Sequence, residues 1–415
     1  MALQLPLALV RQTIGKTSEI AIPDPVRELY RAWRPTPLLR AHRLEQALGT
    51  KARIYYKYEG GNVSGSHKLA TAIAQAFYYR SAGVQRLTTG TGAGQWGTAL
   101  AVACRSFGLA CKVYMVAGSF TQKPQRKTIM QLHGADVVPS PSLDTRSGKL
   151  ARDRKIDGGN MAFAVTEALE DALASQGSAL SVGSGEAYSI LHSTVIGLEA
   201  DEQLAKLGER PDVVLASLGA GSNFGGIALP FLKYKLRDSK HTVRCVSVES
   251  SACPKLTQGV YRYDYTDGSG VTALQKMYTL GHRFRTHNMH AGGLRYHACS
   301  KLISALYHHK WTEAVAYTQT DVFASAVQFT QLEGILPAPE SAHAVHGAIQ
   351  EALRARQDGT SPVILFCLSG HGLYDMSSYA EYLEGRMENV VIDDDAIRSS
   401  LGYLPDVEAR GQRPS

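Results

Sequence analysis

Short apolar and β-branched runs alternate with Ala-rich or amphipathic runs along most of the chain. Arg53–Tyr58 (RIYYKY) is typical of a buried strand, and His67–Gly83 is typical of a helix with Ser66 as its N-cap. Further strands are predicted at Arg86–Thr89, Cys111–Val116, Asp212–Leu218, Thr242–Glu249 and Val363–Ser369. Strands that alternate with helices in this way indicate an α/β protein with a mainly parallel sheet covered on both faces.

The same pattern predicts where the chain divides. A new unit of strand, glycine loop and helix begins just after residue 205. We therefore predict an N-terminal α/β domain over residues 1–205 and a C-terminal α/β domain over residues 206–415.

Composition and charge narrow the class of protein. Hydrophobic residues make up 44% and charged residues 20%, as in ordinary globular proteins. The net charge of +7 comes without a long basic block, so an anionic small ligand explains it as well as nucleic acid does. The six cysteines form no CxxC pair, which favours reduced thiols. The first residues lack the basic start and cleavage site of a signal peptide, and no segment suits a membrane span. We expect a cytoplasmic protein without nucleic-acid or membrane partners.

Three glycine-rich loops follow predicted strands. The first, Thr88–Gly97 (TTGTGAGQWG), matches GxGxxG, but the acidic residue that a dinucleotide site needs about 20 positions later is absent. This absence argues against a nucleotide-dependent oxidoreductase. The loop still offers backbone N–H groups at a helix N-terminus, which suits a substrate carboxylate.

The other two loops differ in what they could bind. Leu218–Gly226 (LGAGSNFGG) has glycines, a serine and an asparagine before a helix, which is typical of a phosphate cradle or of a tight strand-to-helix turn. Leu368–Gly372 (LSGHG) places Ser369 at a strand end, where its hydroxyl could bind a ring nitrogen or cap a helix.

Lys68 lies in the first turn of an Ala-rich helix, where the helix dipole disfavours a cation. A lone lysine at such a position is usually solvated. Near two anion-binding loops, a partly buried lysine with a lowered pKa can instead form a Schiff base.

Seven motifs occur in one order along the chain. They are RPTPLL (Arg34–Leu39), GSHKLATA, TGAGQWG, LGAGSNFGG, HAGGLRYH (His290–His297), PAPESAHA (Pro337–Ala344) and LSGHG. Over about residues 20–385 the sequence resembles the tryptophan synthase β-subunit family, and it is most similar to the second, standalone-type branch of that family.

The resemblance implies a fold, a cofactor and an assembly. The fold would be that of fold type II enzymes, with two three-layer α/β domains and pyridoxal 5′-phosphate (PLP) in the cleft between them. A mobile subdomain of about residues 87–175 would close over the substrate. The resemblance also implies a homodimer, and a monovalent cation (K⁺ or Na⁺) bound through backbone carbonyls. No metal-ligand spacing is apparent otherwise.

Roles for individual residues follow from the matching motifs. Lys68 would hold the cofactor and move the proton at the substrate α-carbon. The phosphate, the ring and the pyridine nitrogen of the cofactor would be bound by His67, Gly219, Ala220, Gly221, Ser222, Asn223, Glu340 and Ser369. The substrate would be bound by Gly90, Thr91, Gly92, Ala93, Gly94, Gln95 and Trp96.

Three positions need comment against the family pattern. Gly90 stands where the family loop has a glutamate that assists loss of the serine hydroxyl and orients indole, help worth roughly 10²–10⁴-fold. Ala220 replaces a glycine of the phosphate loop, which is harmless unless its φ is positive. Arg295 replaces the aspartate of the conventional β-subunit, although arginine is usual in the second branch. The resemblance to the second branch and the presence of Gly90 argue against an α-subunit partner.

The missing carboxylate leaves several functions open. We expect a lyase-type enzyme that forms an aminoacrylate from L-serine or a related β-substituted amino acid and adds a nucleophile other than ordinary indole. A glycine at position 90 would enlarge the pocket for a phenol-like or other aromatic nucleophile, giving an aromatic amino acid outside the standard set. The donor could also be O-phosphoserine or O-acetylserine, whose leaving groups depart without protonation by an acid. The alternatives are β-elimination of serine or threonine, and tryptophan synthesis from serine and indole with Glu186 or water as the acid. Retention of Lys68, Glu340 and Ser369 argues against a binding protein without catalytic activity.

Overall fold

The computed structural model describes residues 5–153, 161–238, 242–268, 270, 272–285, 289–390 and 392–407. The strands in these ranges are β1 (Leu38–Arg40), β2 (Arg53–Tyr58), β3 (Arg86–Thr91), β4 (Ala110–Val116), β5 (Asp136–Ser140), β6 (Ser178–Leu180), β7 (Val213–Ser217), β8 (Arg244–Ser250), β9 (Val260–Asp264), β10 (Gln275–Thr279), β11 (Glu313–Tyr317) and β12 (Val363–Leu368).

Helices cover these strands and connect them. They are α1 (Leu7–Ile14), α2 (Asp24–Tyr30), α3 (His42–Leu48), α4 (Lys68–Ser81), α5 (Gln95–Ser106), α6 (Ala117–Gln122), α7 (Pro124–Leu132), α8 (Arg146–Asp153), α9 (Met161–Ala174), α10 (Ala187–Ser193), α11 (Val195–Lys206), α12 (Ser222–Arg237), α13 (Lys301–His308), α14 (Gln319–Glu333), α15 (Pro339–Gln357), α16 (Met376–Leu383) and α17 (Asp394–Leu401). Among these helices, none has both the length and the apolar surface that a bilayer crossing requires.

The larger sheet has six strands in the order β1-β2-β12-β7-β8-β11. Strand β12 lies at its centre and pairs in parallel with β2 and β7, whereas β1 is an antiparallel edge strand. Every residue of β12 is buried, as expected for a parallel strand covered on both faces. The parallel α/β class predicted from the sequence is therefore confirmed.

The smaller sheet has four parallel strands in the order β5-β4-β3-β6. Its strands lie between residues 86 and 180, which includes the predicted mobile subdomain of about residues 87–175. Residues 154–160 of that subdomain lie outside the described residues. Closure of this part of the protein over a substrate stays a prediction.

The division into sheets does not follow the predicted boundary at residue 205. Strands β1 and β2, residues 38–58, pair with the sheet that the second half of the chain builds. The chain thus enters the larger sheet, leaves it to form the smaller one, and returns. Reading elements in order along the chain predicted their types but could not show that the partner of β2 is β12.

The three glycine-rich loops come together because they follow β3, β7 and β12. The carboxyl ends of parallel strands share one edge of their sheet, where α/β proteins usually bind ligands. Backbone pairing also ties the segment before α4 to the third loop, through a bridge between Ser66 and Gly370. The first turn of α4 therefore lies beside these loops.

Candidate active site

Lys68 begins α4, and its amine is the end of a chain of hydrogen bonds. Its Nζ donates to Oε1 of Gln95 at 2.9 Å. Nε2 of Gln95 donates to Oε2 of Glu340 at 3.0 Å, and Oε1 of Glu340 accepts from the backbone N of Gly293 at 2.7 Å. Three other segments of the sequence are thereby fixed relative to this amine.

The environment of Lys68 favours its uncharged form. Burial lowers the pKa of Lys68 to about 8; the Glu340 carboxylate opposes this shift and the Arg126 guanidinium adds to it. An amine with this pKa is partly unprotonated near neutral pH and can act as a nucleophile toward an aldehyde.

The second glycine loop has the geometry of an anion site. Gly221 has a φ of +136°, which L side chains rarely adopt, and it precedes the first turn of α12. A Cβ on Gly219 would lie 2.5 Å from the carbonyl oxygen of Gly293. Only a residue without a side chain lets these two backbones approach, and the free N–H groups of the helix N-terminus then face the site.

Side chains next to this loop support an anionic ligand. His67 Nε2 lies 3.3 Å from Oγ of Ser222, and Asn223 Nδ2 donates to the carbonyl oxygen of Ser217 at 3.0 Å. Oγ of Ser66 and Nδ1 of His67 are buried without a hydrogen-bond partner among the described residues. Unpaired buried polar atoms beside a helix N-terminus fit a phosphorylated cofactor that completes their bonding.

Ala220 causes no strain in the loop. Among the described residues, Lys310 is the residue other than glycine that has a positive φ. The carbonyl oxygen of Ala220 accepts a hydrogen bond from the backbone N of Ser300 at 2.8 Å. The replacement of a glycine at this position is therefore conformationally harmless.

Ser369 is held next to Lys68 by a backbone hydrogen bond to His67, the residue before the lysine. Its carbonyl oxygen accepts from the backbone N of His67 at 2.8 Å, and its Oγ lies 2.7 Å from Oγ of Ser341. Ser341 Oγ in turn accepts from the backbone N of Gly370 at 2.9 Å. The Ser369 hydroxyl is thus held in place and can serve as a neutral partner of a ring nitrogen.

The first glycine loop opens onto the same site. Gly94 precedes α5 with a φ of +93°, and a Cβ there would lie 2.9 Å from Cβ of Arg126. The N–H group of Trp96 is used inside the protein, since Nε1 donates to Oγ1 of Thr89 at 2.8 Å. The ring of Trp96 thus faces the site without its donor, and the N-terminus of α5 is what remains for a carboxylate.

The predicted effect of Gly90 on the pocket is wrong. Strand β3 continues through Gly90 to Thr91, and helix α9 packs across it at this point. A Cβ on Gly90 would lie 2.5 Å from the backbone N of Val165 and 2.6 Å from the carbonyl carbon of Ala164. The space that the missing side chain leaves is filled by the backbone of α9, so the glycine does not enlarge the cavity.

A cavity of about 260 Å³ extends away from Lys68. Of the predicted substrate-binding residues, five line the cavity: Thr91, Gly92, Ala93, Gln95 and Trp96. Gly90 and Gly94 do not line it. The other walls are largely apolar, and among them are Tyr79, Met161, Val165, Leu169, Leu173, Leu180, Val182, Tyr188 and Met277.

Besides Lys68, the ionisable residues Glu186 and Arg295 line this largely apolar cavity. Burial raises the pKa of Glu186 against the opposing effects of Lys301 and Gln275, and Glu186 is the acidic residue among those that line the cavity in the described part of the chain. The Arg295 side chain lines it too, and its Nε is buried without a hydrogen-bond partner among the described residues. Burial lowers the pKa of Arg295.

Sequence reasoning missed Gly293 and Arg126. Gly293 connects the phosphate loop and Glu340, and its only signal was a place inside the HAGGLRYH motif. Arg126 is buried next to Gly94, and its Cζ lies 4.7 Å from the ring centroid of Tyr374. Its Nε and Nη1 have no hydrogen-bond partner among the described residues. A single arginine in a helix gives no sequence signal of such burial.

Residues 29–370 match the family described as pyridoxal-phosphate dependent enzyme. The chain is 53% identical over 383 residues to the tryptophan synthase beta chain 2 of Methanosarcina acetivorans, covering 92% of this chain and 86% of that protein. It is 50% identical over 383 residues to the tryptophan synthase beta chain 2 of Pyrococcus abyssi, covering 92% of this chain and 87% of that protein.

A solved structure shows the same fold at low sequence identity. The crystal structure of a fungal L-serine ammonia-lyase from Rhizomucor miehei superposes with a TM-score of 0.64 at 16% identity, covering 85% of this chain and 98% of that one. At this identity the likeness extends to the fold alone.

Proposed function

Because the chain belongs to the pyridoxal-phosphate-dependent enzymes of the tryptophan synthase β type, we propose that it replaces the β-substituent of L-serine or of a serine ester with an aromatic nucleophile. The bound cofactor supplies the electron sink that such a replacement needs. The observation that carries the proposal is that the apolar cavity extends from Lys68, between the first glycine loop and α9.

Each residue then has a task that its surroundings suit. Lys68 binds the cofactor aldehyde and moves the proton at the substrate α-carbon, tasks that a lowered pKa favours. Gln95 and Glu340 hold the Lys68 amine in position between catalytic turnovers. His67 and the loop residues 219–223 bind the cofactor phosphate, Ser369 the ring nitrogen, and the N-terminus of α5 the substrate carboxylate.

The donor we propose carries a leaving group that needs no proton. Position 90 has no acid, and the cavity is lined by the guanidinium of Arg295, whose Nε has no hydrogen-bond partner among the described residues. An anionic leaving group such as phosphate or acetate would be stabilised by this charge. We therefore propose O-phosphoserine or O-acetylserine ahead of serine.

The nucleophile we propose is aromatic and differs from ordinary indole. The walls formed by α9, β6 and β10 suit an aromatic ring, and the carboxylate that orients indole in the family is missing at position 90. A phenol-like ring could use Glu186 as its polar partner. The product would be an aromatic amino acid outside the standard set.

Tryptophan synthesis is the second candidate, because Glu186 places a carboxyl group with a raised pKa in the same cavity.

Four further features stay predictions: the homodimer, the lack of an α-subunit partner, the cytoplasmic location and the domain boundary.

Mass spectrometry of products separates these functions. Purified enzyme with PLP is offered serine, O-phosphoserine or O-acetylserine together with indole, phenols or anilines. The proposal expects a coupled amino acid from an ester donor and a nucleophile other than indole. Tryptophan as the main product would favour the second candidate, and pyruvate with ammonia alone would show elimination.

A further inference from the structure

Lys255 is a fully buried cation outside the cavity. It lies in the turn after β8, with a side chain that has no exposed surface. Its Nζ donates to the carbonyl oxygens of Leu218 and Cys253, both at 3.2 Å, and lies 3.6 Å from Oε1 of Glu249. The three donors of the ammonium thus face three oxygen atoms.

Glu249 is oriented toward this ammonium by its other contacts. It is also fully buried, and its carboxylate accepts from the backbone N of Leu256 at 3.0 Å and of Thr257 at 3.1 Å. Burial raises the pKa of Glu249, while Lys255 and these donors act against that shift. A buried charge is tolerated only with such complete pairing, so the pair has a fixed place in the fold.

The position of the pair connects it to the phosphate loop. Leu218 is the first residue of that loop, and its backbone N donates to the carbonyl oxygen of Val248 at 2.8 Å. The ammonium holds the carbonyl of the same residue from the other side. The next residue, Gly219, is the one whose backbone contacts Gly293 beside Glu340. A shift of Leu218 would therefore displace the N–H groups that face the phosphate.

Backbone carbonyl and carboxylate oxygens are also the ligands that hard cations take in proteins. We propose that the ammonium of Lys255 is a tethered monovalent cation, which fixes the start of the phosphate loop so that cofactor binding needs no K⁺ or Na⁺. Lys255 is then a positioning residue for the cofactor. This inference rests on the proposed function only through the place of the cofactor phosphate on residues 219–223.

The test measures PLP binding to the apoprotein by fluorescence titration, in buffer whose only added cation is tetramethylammonium and then with K⁺, Na⁺ or NH₄⁺. Wild-type protein is expected to bind PLP equally in all four buffers. Lys255→Met leaves the buried Glu249 carboxylate without its cation and the Leu218 carbonyl without the donor that Nζ supplies, so its affinity should fall at least about tenfold. K⁺ or NH₄⁺ should restore part of this loss, because a free ion can then occupy the position.

Two further variants make the result interpretable. Lys206→Met removes an exposed lysine whose partner is Glu202, and it should behave as wild type. Lys255→Met with Glu249→Gln removes both charges, keeps the protein testable if the single variant misfolds, and should bind PLP better than Lys255→Met alone.

Several outcomes would overturn the inference. These are a wild-type affinity that depends on K⁺ or Na⁺, a Lys255→Met variant that binds PLP as wild type does in tetramethylammonium buffer, or a loss that no cation reverses. Wild-type protein that binds no PLP in any buffer would instead contradict the proposed function.

Discussion

Lys68 shows what a single residue reveals before and after folding. Its unfavourable place at a helix N-terminus and the order of the surrounding motifs were visible in the sequence, and they predicted a functional amine. The hydrogen bond to Gln95 and the lowered pKa were not visible, because they depend on which side chains fold over the amine. For Trp96 the sequence predicted a role in substrate binding, but its ring N–H group donates a hydrogen bond to Thr89 inside the protein.

The lowered pKa makes a prediction about stability and pH. Between a folded-state value of about 8 and the ordinary value of 10.5, the unfolded chain binds more protons than the folded chain at this site. The free energy of unfolding of the apoprotein should therefore rise with pH across this window, by up to about 3 kcal/mol relative to Lys68→Met. Urea unfolding of both proteins from pH 7.5 to 10.5 measures this difference, and a difference that is constant with pH would contradict it.

At the scale of elements, the contact between β3 and α9 determines which side chains position 90 can accommodate. The sequence predicted that β3 ends at Thr89, whereas the strand runs on to Thr91 and carries Gly90 under the helix. Such a contact joins residues far apart in the chain, so local patterns could not reveal it. The glycine at position 90 is explained by close packing of a strand and a helix, in addition to the loss of a carboxylate.

This packing predicts the effect of adding side-chain atoms at position 90. Gly90→Ala should lower the free energy of unfolding by about 1–3 kcal/mol, because its Cβ would overlap the backbone of α9. Gly118→Ala is the matched control, since a Cβ there meets nothing within 4 Å, and it should be neutral or stabilising. Chemical denaturation of both variants checks the prediction, which fails if they are equally stable.

The same packing predicts the effect of Gly90→Glu. Restoring the glutamate of the family pattern should require α9 to move, so this variant should lose stability before it gains any activity with serine and indole. A stable Gly90→Glu enzyme that makes tryptophan would show that α9 yields readily.

At the scale of the whole molecule, the two sheets share an apolar core, and buried charges add a second connection between their layers. Asp375, next to the third glycine loop, binds Lys123 at 2.5 Å and Arg126 at 3.5 Å, and both cations belong to the layer around the smaller sheet. The alternating elements of the sequence predicted a mainly parallel sheet, the family resemblance implied two α/β domains, and the ordered motifs predicted the site. The sequence could not predict the return of the chain into the larger sheet, because strand pairing depends on tertiary contacts.

These contacts predict how the molecule responds to a substrate. If the part around residues 86–180 closes over the site, its backbone amides should exchange more slowly when a donor amino acid is added, while β2, β7 and β12 change little. Hydrogen exchange followed by mass spectrometry measures both regions in one experiment. Uniform protection of both sheets, or none, would argue against a separately moving subdomain.

The visible absorption spectrum of the purified protein with PLP tests most directly whether an amine at position 68 holds the cofactor. Wild-type protein and the exposed-lysine control Lys206→Ala should show the band of a lysine-bound cofactor, and Lys68→Ala should lack it. A Lys68→Ala protein whose spectrum equals that of wild type would contradict the account, because another amine would then hold the aldehyde.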